Sequence, residues 1–433
     1  MYGNKPKMKL LIKNGIVVEP SKNLQQQSDI LIENGKIVKI AKKIVLKEKL
    51  ETINAKNYIV CPGFIDIHTH LREPGNEDEE TIATGTRAAA AGGFTTIFCM
   101  PNTNPPIDNQ ATVELVMLKA KNEGLINVLP VGCITKQRKG EELTEIGELK
   151  NAGVVAISDD GSSVKNSKIM RRALEYTKMF DLVTISHCED TDLSKEGSVN
   201  EGKVSTLLGL RGIPKEAEEI MVIRDIILAS LTQSKLHITH ISTKGSVEFI
   251  RQAKKNGITI TCDVTPHHFV LTEDKLLEHP YDTNLKMNPP LRTQEDVAAI
   301  INAIKDDIID CIASDHAPHT IEEKSKEFAS APFGIIGLET VFPLCITYLY
   351  YQHKIPLIKI IEKLTTNPAK IFGLKTKGKL EVGSDADITI FSLDQEFIIK
   401  NFHSKSSNSP FIGWKLKGKI KYTICNGKVV FKD

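Results

Sequence analysis

The sequence predicts an α/β protein built on a (β/α)8 barrel of the TIM type, with a small β-sandwich domain formed by both ends of the chain. Eight apolar, β-branched segments alternate with amphipathic segments through the middle of the chain, which is the pattern of a parallel sheet with crossover helices. Short β patterns with turn signals fill the first sixty and last fifty residues. No glycine-rich phosphate turn follows the first strand of the middle region, which argues against an open doubly wound sheet.

The barrel strands are predicted from runs of apolar and β-branched residues. These runs are 58–67, 94–99, 126–134, 153–158, 182–187, 235–241, 258–264 and 308–314. Helical periodicity between them covers segments such as 79–91, 110–122, 168–179, 215–232 and 243–256. Two segments, 194–214 and 317–334, lack clear periodicity, and we expect them to be long loops on the active face.

The two ends of the chain carry hairpin signals. Asn14-Gly15, Asn34-Gly35 and Asn426-Gly427 each stand between apolar β patterns, and Asn-Gly is the strongest short-range hairpin signal. A further strand is predicted over 387–391. We therefore predict two domains. They are a composite β-sandwich of residues 1–60 and 376–433, and a catalytic barrel of residues 61–375.

The composition excludes several classes of function. Of 433 residues, 56 are basic and 54 acidic, so the net charge of +2 gives no electrostatic basis for binding nucleic acid or a membrane surface. No apolar run reaches the length of a membrane span, and we expect no signal peptide. The eight cysteines form no CxxC pair and mostly lie in apolar runs, which indicates reduced core thiols in a cytoplasmic protein.

The first predicted barrel strand ends in a pair of histidines. His68 and His70 are two residues apart, and residues i and i+2 of a strand point to the same side. Two neutral imidazoles at this spacing can bind one zinc ion. The pair therefore predicts a metal site at the mouth of the barrel.

Four other predicted strands end in residues that bind metals. Strand 4 ends at Asp159-Asp160, strand 5 at His187, strand 6 at His240 and strand 8 at Asp315. A single such residue is as readily explained as a strand cap or a hydrogen-bonded structural histidine. Five strand ends together favour a metal centre, because barrel enzymes carry their chemistry at the carboxyl ends of the strands.

Several other polar residues are assigned no ligand role. His267 and His268 follow strand 7 and are expected to line the rim, and His237 lies near the start of strand 6, at the opposite end of the barrel. Asp66 and Asp263 are left open between supporting the site and a purely structural role.

Four segments together resemble the amidohydrolase superfamily and, within it, the class I dihydroorotases, over essentially the whole chain. They are Asp66-Ile67-His68-Thr69-His70-Leu71-Arg72-Glu73-Pro74-Gly75, Asp159-Asp160-Gly161, Asn288-Pro289-Pro290-Leu291-Arg292, and Ser314-Asp315-His316-Ala317-Pro318-His319 with Lys324 after it. The first and last segments are specific only in combination, because either alone also fits a hydantoinase or an allantoinase.

The resemblance implies a metal centre of one or two zinc ions. His68 and His70 would bind the more buried ion with Asp315, which would also act as the general acid and base, and His187 and His240 would bind the second. Many relatives bridge the two ions with a carboxylated lysine, but strand 4 offers acidic residues and no lysine before Lys165. Asp160 would take the bridging role, with Asp159 as the alternative.

The resemblance also implies a substrate pocket for carbamoyl aspartate and dihydroorotate. Arg72 would pair with the substrate carboxylate, which a planar guanidinium matches in bidentate fashion. The implied pocket residues are His70, Leu71, Arg72, Asn102, Asn288, His319, Phe333 and Gly334. Asn102 and His319 would complete the carboxylate pocket, and Asn288 with the backbone of Phe333 and Gly334 would hold the pyrimidine ring.

Two alternative functions stay open. One is another cyclic amidase, such as a hydantoinase, allantoinase or dihydropyrimidinase. Arg72 argues against a hydantoinase, whose substrates lack a ring carboxylate. The other is a non-catalytic subunit that supports aspartate carbamoyltransferase; such proteins typically lose metal ligands, which this chain retains. The resemblance further implies a homodimer, and it allows an active enzyme that also associates with aspartate carbamoyltransferase.

Overall fold

The computed structural model describes residues 9–47 and 50–433, and most of its strands lie in two eight-stranded sheets. The strands are β1 (Lys9–Glu19), β2 (Leu24–Glu33), β3 (Lys36–Ala41), β4 (Glu51–Asn54), β5 (Ile59–Pro62), β6 (Phe64–Thr69), β7 (Phe94–Cys99), β8 (Asn127–Gly132), β9 (Ala156–Ile157), β10 (Val183–Ser186), β11 (Val199–Asn200), β12 (Gly212–Ile213), β13 (Leu236–Ile238), β14 (Ile260–Val264), β15 (Cys311–Ile312), β16 (Ile388–Ile398), β17 (Lys415–Cys425) and β18 (Lys428–Lys432).

Helices connect the strands of the central sheet. They are α1 (Ile82–Ala91), α2 (Gln110–Glu123), α3 (Ile146–Ala152), α4 (Ser167–Met179), α5 (Lys203–Leu208), α6 (Glu216–Thr232), α7 (Lys244–Lys255), α8 (Pro266–Val270), α9 (Lys275–Glu278), α10 (Gln294–Lys305), α11 (Ile321–Lys324), α12 (Val341–Leu344), α13 (Leu357–Leu364) and α14 (Thr366–Ile371). A π-helical segment, Cys345–Gln352, continues α12, and short 3-10 turns lie at Pro20–Lys22, Lys136–Arg138 and Thr283–Leu285. Side chains that accept a hydrogen bond from the first helical turn fix the starts of α1, α2, α4, α7 and α10, namely Thr81, Asn109, Asn166, Thr243 and Thr293.

The predicted (β/α)8 barrel is confirmed. Its eight strands follow the order β6-β7-β8-β9-β10-β13-β14-β15, and each neighbouring pair is parallel. The segment predicted as one strand over 58–67 is divided at Gly63, where a Cβ atom would lie 2.2 Å from Thr95 Oγ1. The chain crosses there from the terminal sheet (β5) into the barrel (β6).

Contacts at the carboxyl ends of the first and last barrel strands close the ring. Thr69 forms an isolated parallel bridge with His316, and the amide of His70 donates to the carbonyl of His316 at 2.8 Å. The buried carboxylate of Asp66 accepts from the amides of His68 at 3.0 Å and Ser314 at 3.2 Å. Asp66 therefore joins the two strands that carry His68 and Asp315.

Apolar side chains fill the base of the barrel. Ile65, Ile67 and Phe98 belong to a buried cluster with residues of the other strands, and Phe372, after α14, packs on Phe98 with ring centroids 4.8 Å apart. Polar residues at the opposite ends of the strands consequently sit above a dry base. A buried apolar floor of this kind limits how far water can compensate the charges above it.

Both ends of the chain build the second sheet, as predicted. It is one continuous hydrogen-bonded sheet in the order β18-β17-β16-β5-β1-β2-β3, with β4 paired to β1. Ile37 on β3 and Ile424 on β17 share one buried cluster, so residues from near the two edges pack on a common core. The β-rich ends of the sequence therefore form a layer separate from the barrel sheet.

The three Asn-Gly pairs have two different outcomes. Asn34-Gly35 joins β2 to β3 and Asn426-Gly427 joins β17 to β18 as two-residue hairpin turns, which confirms those predictions. The hairpin predicted at Asn14-Gly15 is wrong. Here β1 continues through a bulge, where the amide of Asn14 donates to Asp29 Oδ1 at 2.9 Å. A side-chain acceptor on the neighbouring strand therefore replaces the turn.

The two segments predicted as long loops are partly ordered into short elements. Residues 194–214 contain the parallel pair β11 and β12 around α5, and 317–334 contains α11. None of the helices in the described residues combines the length and the apolar composition that a membrane crossing requires.

Candidate metal centre and substrate pocket

Six side chains converge at the carboxyl ends of five barrel strands. Each belongs to a residue that is at most 9% exposed, and they are His68, His70, Asp160, His187, His240 and Asp315. The first two lie on or just after β6, and the others follow β9, β10, β13 and β15 within three residues. The structure thus brings together all the predicted ligand residues.

One half of this cluster contains the two histidines of the first strand. His68 Nε2 lies 3.1 Å from Asp160 Oδ2 and 3.4 Å from Asp315 Oδ1. His70 Nε2 lies 3.4 Å from the same oxygen of Asp160 and 3.1 Å from the same oxygen of Asp315. Two imidazole nitrogens and two carboxylate oxygens therefore face one point.

The other half of the cluster contains His187 and His240. Their ring nitrogens Nδ1 and Nε2 lie 2.9 Å apart, and each is 3.6 Å from Asp160 Oδ1. Asp160 thus presents one carboxylate oxygen to each pair of histidines. A carboxylate in this position has one oxygen available to a metal ion on each side.

Asp159 has a different environment. Its carboxylate accepts from the backbone amides of Ile134 at 2.8 Å and Thr135 at 3.0 Å and from the Thr135 hydroxyl. These bonds hold the loop after β8. Of the two adjacent acids, it is Asp160 whose side chain faces the histidines.

The electrostatics of the cluster favour a bound cation. Burial by itself lowers the pKa of His68, but the carboxylates of Asp160 and Asp315 outweigh this and raise its pKa to about 10. Burial raises the pKa of Asp160, but the charge of His68 and the adjacent imidazoles of His240 and His68 reverse this and lower it well below its usual value. Among the described residues, His68 Nε2 and Asp160 Oδ1 are buried without a hydrogen-bond partner. Imidazole nitrogens and carboxylate oxygens are the donors that zinc accepts, so the residues fit such an ion.

The other ring nitrogen of three of these histidines is held by a neighbour. His70 Nδ1 donates to Asn102 Oδ1 at 2.8 Å, and His187 Nε2 lies 3.0 Å from Glu189 Oε2. His68 Nδ1 lies 2.7 Å from Thr239 Oγ1. Such contacts fix the tautomer and the orientation of metal-binding imidazoles.

Three site residues have left-handed backbone conformations. Their φ angles are 61° for Arg72, 37° for His240 and 46° for Asp315. Non-glycine residues adopt this region at a cost and concentrate there at functional sites. The turns that leave β6, β13 and β15 are therefore shaped to point these residues into the barrel mouth.

Arg72 lies beside the first pair of histidines and is buried. Its Nε donates to the carbonyl of Pro318 at 3.1 Å and is 2.7 Å from Glu79 Oε2, and its Nη2 is 3.2 Å from His319 Nε2. Burial raises the pKa of Glu79 to about 7, although Arg72 opposes this. Sequence reasoning missed Glu79, whose only signal is its place in the acidic run 77–80 that follows Arg72.

The remaining predicted pocket residues have partners of their own. Asn288 Nδ2 donates to Glu189 Oε2 at 3.0 Å, and the carbonyl of Phe333 lies 2.9 Å from His319 Nε2. The amide of Gly334 donates to Lys286 O at 2.9 Å. The side chain of Leu71 is buried in the core between the barrel and its helices, so Leu71 can offer a ligand only its backbone. Glu189 also went unpredicted, although it follows His187 by two residues.

The two histidines after strand 7 are buried. His267 Nε2 and His268 Nδ1 lie 2.8 Å and 2.7 Å from the Thr265 hydroxyl, and His268 Nε2 donates to the carbonyl of Pro289 at 3.0 Å. These bonds give His268 a structural role under the Asn288-Pro289 turn.

The chain is similar to known proteins over nearly its whole length. A family model described as dihydro-orotase-like matches residues 57–246, and an amidohydrolase family model matches residues 282–431. A protein named dihydroorotase from Endomicrobium trichonymphae is 55% identical over 427 residues, covering 98% of this chain and 100% of the relative. A second dihydroorotase, from Acetivibrio thermocellus, is 52% identical over 426 residues, covering 98% of this chain and 99% of the relative.

Solved structures with the same fold include two other cyclic amidases. The L-hydantoinase (dihydropyrimidinase) from Arthrobacter aurescens has a TM-score of 0.88 at 25% identity and covers 98% of this chain and 96% of its own. The dihydropyrimidinase from Brevibacillus agri has a TM-score of 0.86 at 26% identity and covers 98% of this chain and 95% of its own.

Removal of metal should destabilise the protein through this cluster. A ligand that binds only the folded state stabilises it by about 4 kcal/mol at a thousandfold excess over its dissociation constant. We expect zinc to raise the melting temperature of metal-stripped protein measured by calorimetry, and His240→Ala to diminish that rise. The matched control is His279→Ala, on the surface, which should retain the full rise. Equal zinc-dependent shifts in the two variants would contradict the assignment.

Proposed function

The chain belongs to the dihydroorotase-like family of the amidohydrolases, and we propose that it is a zinc-dependent dihydroorotase. The reaction is the reversible cyclisation of N-carbamoyl-L-aspartate to L-dihydroorotate with loss of water, a step of pyrimidine synthesis. The observation that carries the proposal is the buried cluster of four histidines and two aspartates with Arg72 beside it. The cluster supplies a metal centre, and Arg72 supplies a reader for the carboxylate that distinguishes this substrate.

We propose two zinc ions, which Asp160 would bridge. His68, His70 and Asp315 would hold one ion with Asp160 Oδ2, and His187 and His240 would hold the other with Asp160 Oδ1. Zinc in such a site makes hydroxide available at neutral pH and polarises a carbonyl group. An aspartate in the bridging position removes any need for a carboxylated lysine.

Asp315 is the proposed general acid and base. Its Oδ1 lies among the groups that face the first ion position, 3.1 Å from His70 Nε2. In hydrolysis Asp315 takes the proton of the attacking water and passes it to the leaving ring nitrogen. In cyclisation it takes the proton from the attacking ureido nitrogen and gives it to the oxygen that departs from the side-chain carboxyl group.

Arg72 is the proposed reader of the substrate carboxylate. Its Nε is occupied by Pro318 and Glu79, which leaves the terminal nitrogens of the guanidinium for a ligand. His319 lies 3.2 Å from Nη2 and would share the same pocket. Asn102 uses its oxygen on His70, so its amide nitrogen is the group available to the substrate.

Asn288 and the backbones of Leu71, Phe333 and Gly334 would hold the pyrimidine ring. Asn288 donates to Glu189, and the amide of Gly334 donates to the carbonyl of Lys286. The Asn288 oxygen remains available as an acceptor for a ring N–H. Asn288 would thus contact Glu189 through its amide nitrogen and the substrate ring through its oxygen.

A related cyclic amidase is the second candidate, because hydantoinases and a dihydropyrimidinase share this fold closely. Arg72 favours a dihydroorotase over these other cyclic amidases, because the substrates of hydantoinases and dihydropyrimidinases lack a ring carboxylate. Side-by-side assays of dihydroorotate, dihydrouracil, hydantoin and allantoin distinguish the candidates. A non-catalytic scaffold is less well supported, because the chain retains every proposed metal ligand.

We also propose a cytoplasmic homodimer. One face of α6 carries a stripe of apolar side chains that are 39–61% exposed, namely Ile220, Ile223, Ile227 and Leu231. Contiguous exposed apolar surface is typical of a protein interface. All eight cysteines are buried and unpaired, in keeping with a reducing compartment. Association with aspartate carbamoyltransferase stays a prediction from the resemblance.

Asp315→Asn should keep its metal and lose its turnover. General acid and base catalysis contributes roughly a hundred- to ten-thousandfold to rate, and an amide cannot supply it. The measurement is dihydroorotate hydrolysis with zinc content determined on the same sample. Asp306→Asn, an exposed change, is the control and should retain wild-type rates. A near-normal rate in Asp315→Asn would remove this residue from the mechanism.

Arg72→Met should weaken substrate binding far more than it lowers zinc content. The substitution preserves length but removes the donors that pair with a carboxylate. The expected result is a KM for carbamoyl aspartate raised about tenfold or more, as loss of a charged hydrogen bond of roughly 1.5–3 kcal/mol implies. Arg171→Met, on the surface of α4, is the matched control. An unchanged KM would indicate a substrate without that carboxylate.

Ile227→Glu should separate the proposed dimer. A charge at the centre of an apolar interface is buried without a partner, which disfavours association. Light scattering after gel filtration should give the mass of two chains for the wild type and of one for the variant. Leu118→Glu on α2, which is similarly exposed, should leave the wild-type mass unchanged. Loss of the dimer in both variants, or in neither, would argue against this face.

A further inference from the structure

Asp263 is a fully buried carboxylate directly beneath the metal cluster. It lies on β14, and its Oδ2 accepts from the Thr239 hydroxyl at 2.9 Å and from His237 Nε2 at 2.8 Å. Its Oδ1 accepts from the backbone amide of His240 at 2.8 Å. Asp263 therefore contacts one proposed metal ligand, His240, through its backbone and another, His68, through Thr239.

The hydroxyl of Thr239 fixes the direction of the bond to His68. A hydroxyl has one proton, and Thr239 gives it to the carboxylate of Asp263, which can only accept. Thr239 Oγ1 must then accept from His68 Nδ1, 2.7 Å away, so this nitrogen carries the proton. In the neutral ring, which is the form that binds a metal, the lone pair is then on Nε2, the nitrogen that faces Asp160 and Asp315.

The other oxygen of Asp263 supports the opposite half of the cluster. His240 has a φ of 37°, a conformation that costs a non-glycine residue free energy. The bond from its amide to Asp263 Oδ1 helps hold this conformation, which places the His240 ring 2.9 Å from His187. One carboxylate thus acts on both ion positions.

We propose that Asp263 is a positioning residue for both halves of the metal centre. It sets the tautomer of His68 through Thr239 and the backbone of His240 directly. The inference rests on the proposed metal-dependent function and deepens it. Asn102 and Glu189, by contrast, contact the ring of one histidine each, His70 and His187.

The variant Asp263→Asn tests this positioning role. Both oxygens of Asp263 accept hydrogen bonds, whereas the amide of asparagine has one accepting oxygen and one donating nitrogen. If the nitrogen faces Thr239, the hydroxyl accepts from it and donates to His68 Nδ1, which moves the imidazole proton to Nε2 and blocks that ligand. If the nitrogen instead faces the amide of His240, two donors oppose each other. Each orientation disrupts one half of the centre.

Zinc affinity of the metal-stripped full chain is the readout, measured by competition with a chromophoric chelator. Outer-shell partners of metal ligands are worth about 10–100-fold in affinity. We expect Asp263→Asn to raise the dissociation constant of at least one ion by this factor, and Thr239→Val to do the same for one ion only. Thr239→Ser keeps the hydroxyl and should bind both ions with wild-type affinity.

Thr261→Val is the matched control, because Thr261 also contacts His237, at 2.8 Å, but lies on the side away from Asp263. It should bind both ions as the wild type does. The absorption spectrum of the cobalt-substituted protein gives a second readout, and it should change in Asp263→Asn and Thr239→Val but not in Thr239→Ser. If Asp263→Asn fails to fold, the Thr239 pair carries the test.

Wild-type affinity for both ions in Asp263→Asn and Thr239→Val would overturn the inference and leave the proposed function intact. Equal weakening in Thr239→Ser or Thr261→Val would also overturn it, because the effect would then be general loosening of the core. A wild-type chain that binds no zinc would overturn the metal-dependent function itself, and with it the inference.

Discussion

The buried carboxylate of Asp160 stands between two pairs of imidazoles, and the rest of the site depends on this contact. Its two oxygens face His68 and His70 on one side and His187 and His240 on the other. Buried ionised groups are costly unless they are paired. A divalent cation on each side would satisfy both the carboxylate and the nitrogen lone pairs.

Hydrogen bonds around the cluster fix the strand ends and the orientations of the histidine rings. Asp66 ties the first barrel strand to the last, and the contacts of Asn102, Glu189 and Thr239 fix the rings of His70, His187 and His68. The left-handed turns at Arg72, His240 and Asp315 cost free energy that these bonds and the packed base of the barrel offset. Arg72 is held in turn by Pro318 and Glu79, and these contacts fix the guanidinium that we propose pairs with the substrate carboxylate.

Much of this architecture could be predicted, because period-2 and helical patterns along the chain directly reflect burial. The histidine pair at 68 and 70 and the other strand-end residues were identifiable for the same reason. Predictions that depended on contacts between distant segments were less complete. At Asn14-Gly15 a bulge stabilised by Asp29, on the neighbouring strand, stands in place of the predicted turn. Glu79 and Glu189 could not be predicted, because nothing in the sequence around them distinguishes a buried acid from a solvated one. Asp263, whose role sequence position left open, bonds to Thr239 and to the amide of His240, contacts between segments that no local pattern reveals.

We propose a cyclic amidase whose metal centre Asp160 bridges and whose substrate choice depends on Arg72. The most direct test of this proposal is anomalous diffraction at the zinc edge from crystals of the zinc-loaded protein. We expect two peaks, one on each side of the Asp160 carboxylate, the first among His68, His70 and Asp315 and the second beside His187 and His240. A single peak, or peaks away from Asp160, would contradict it.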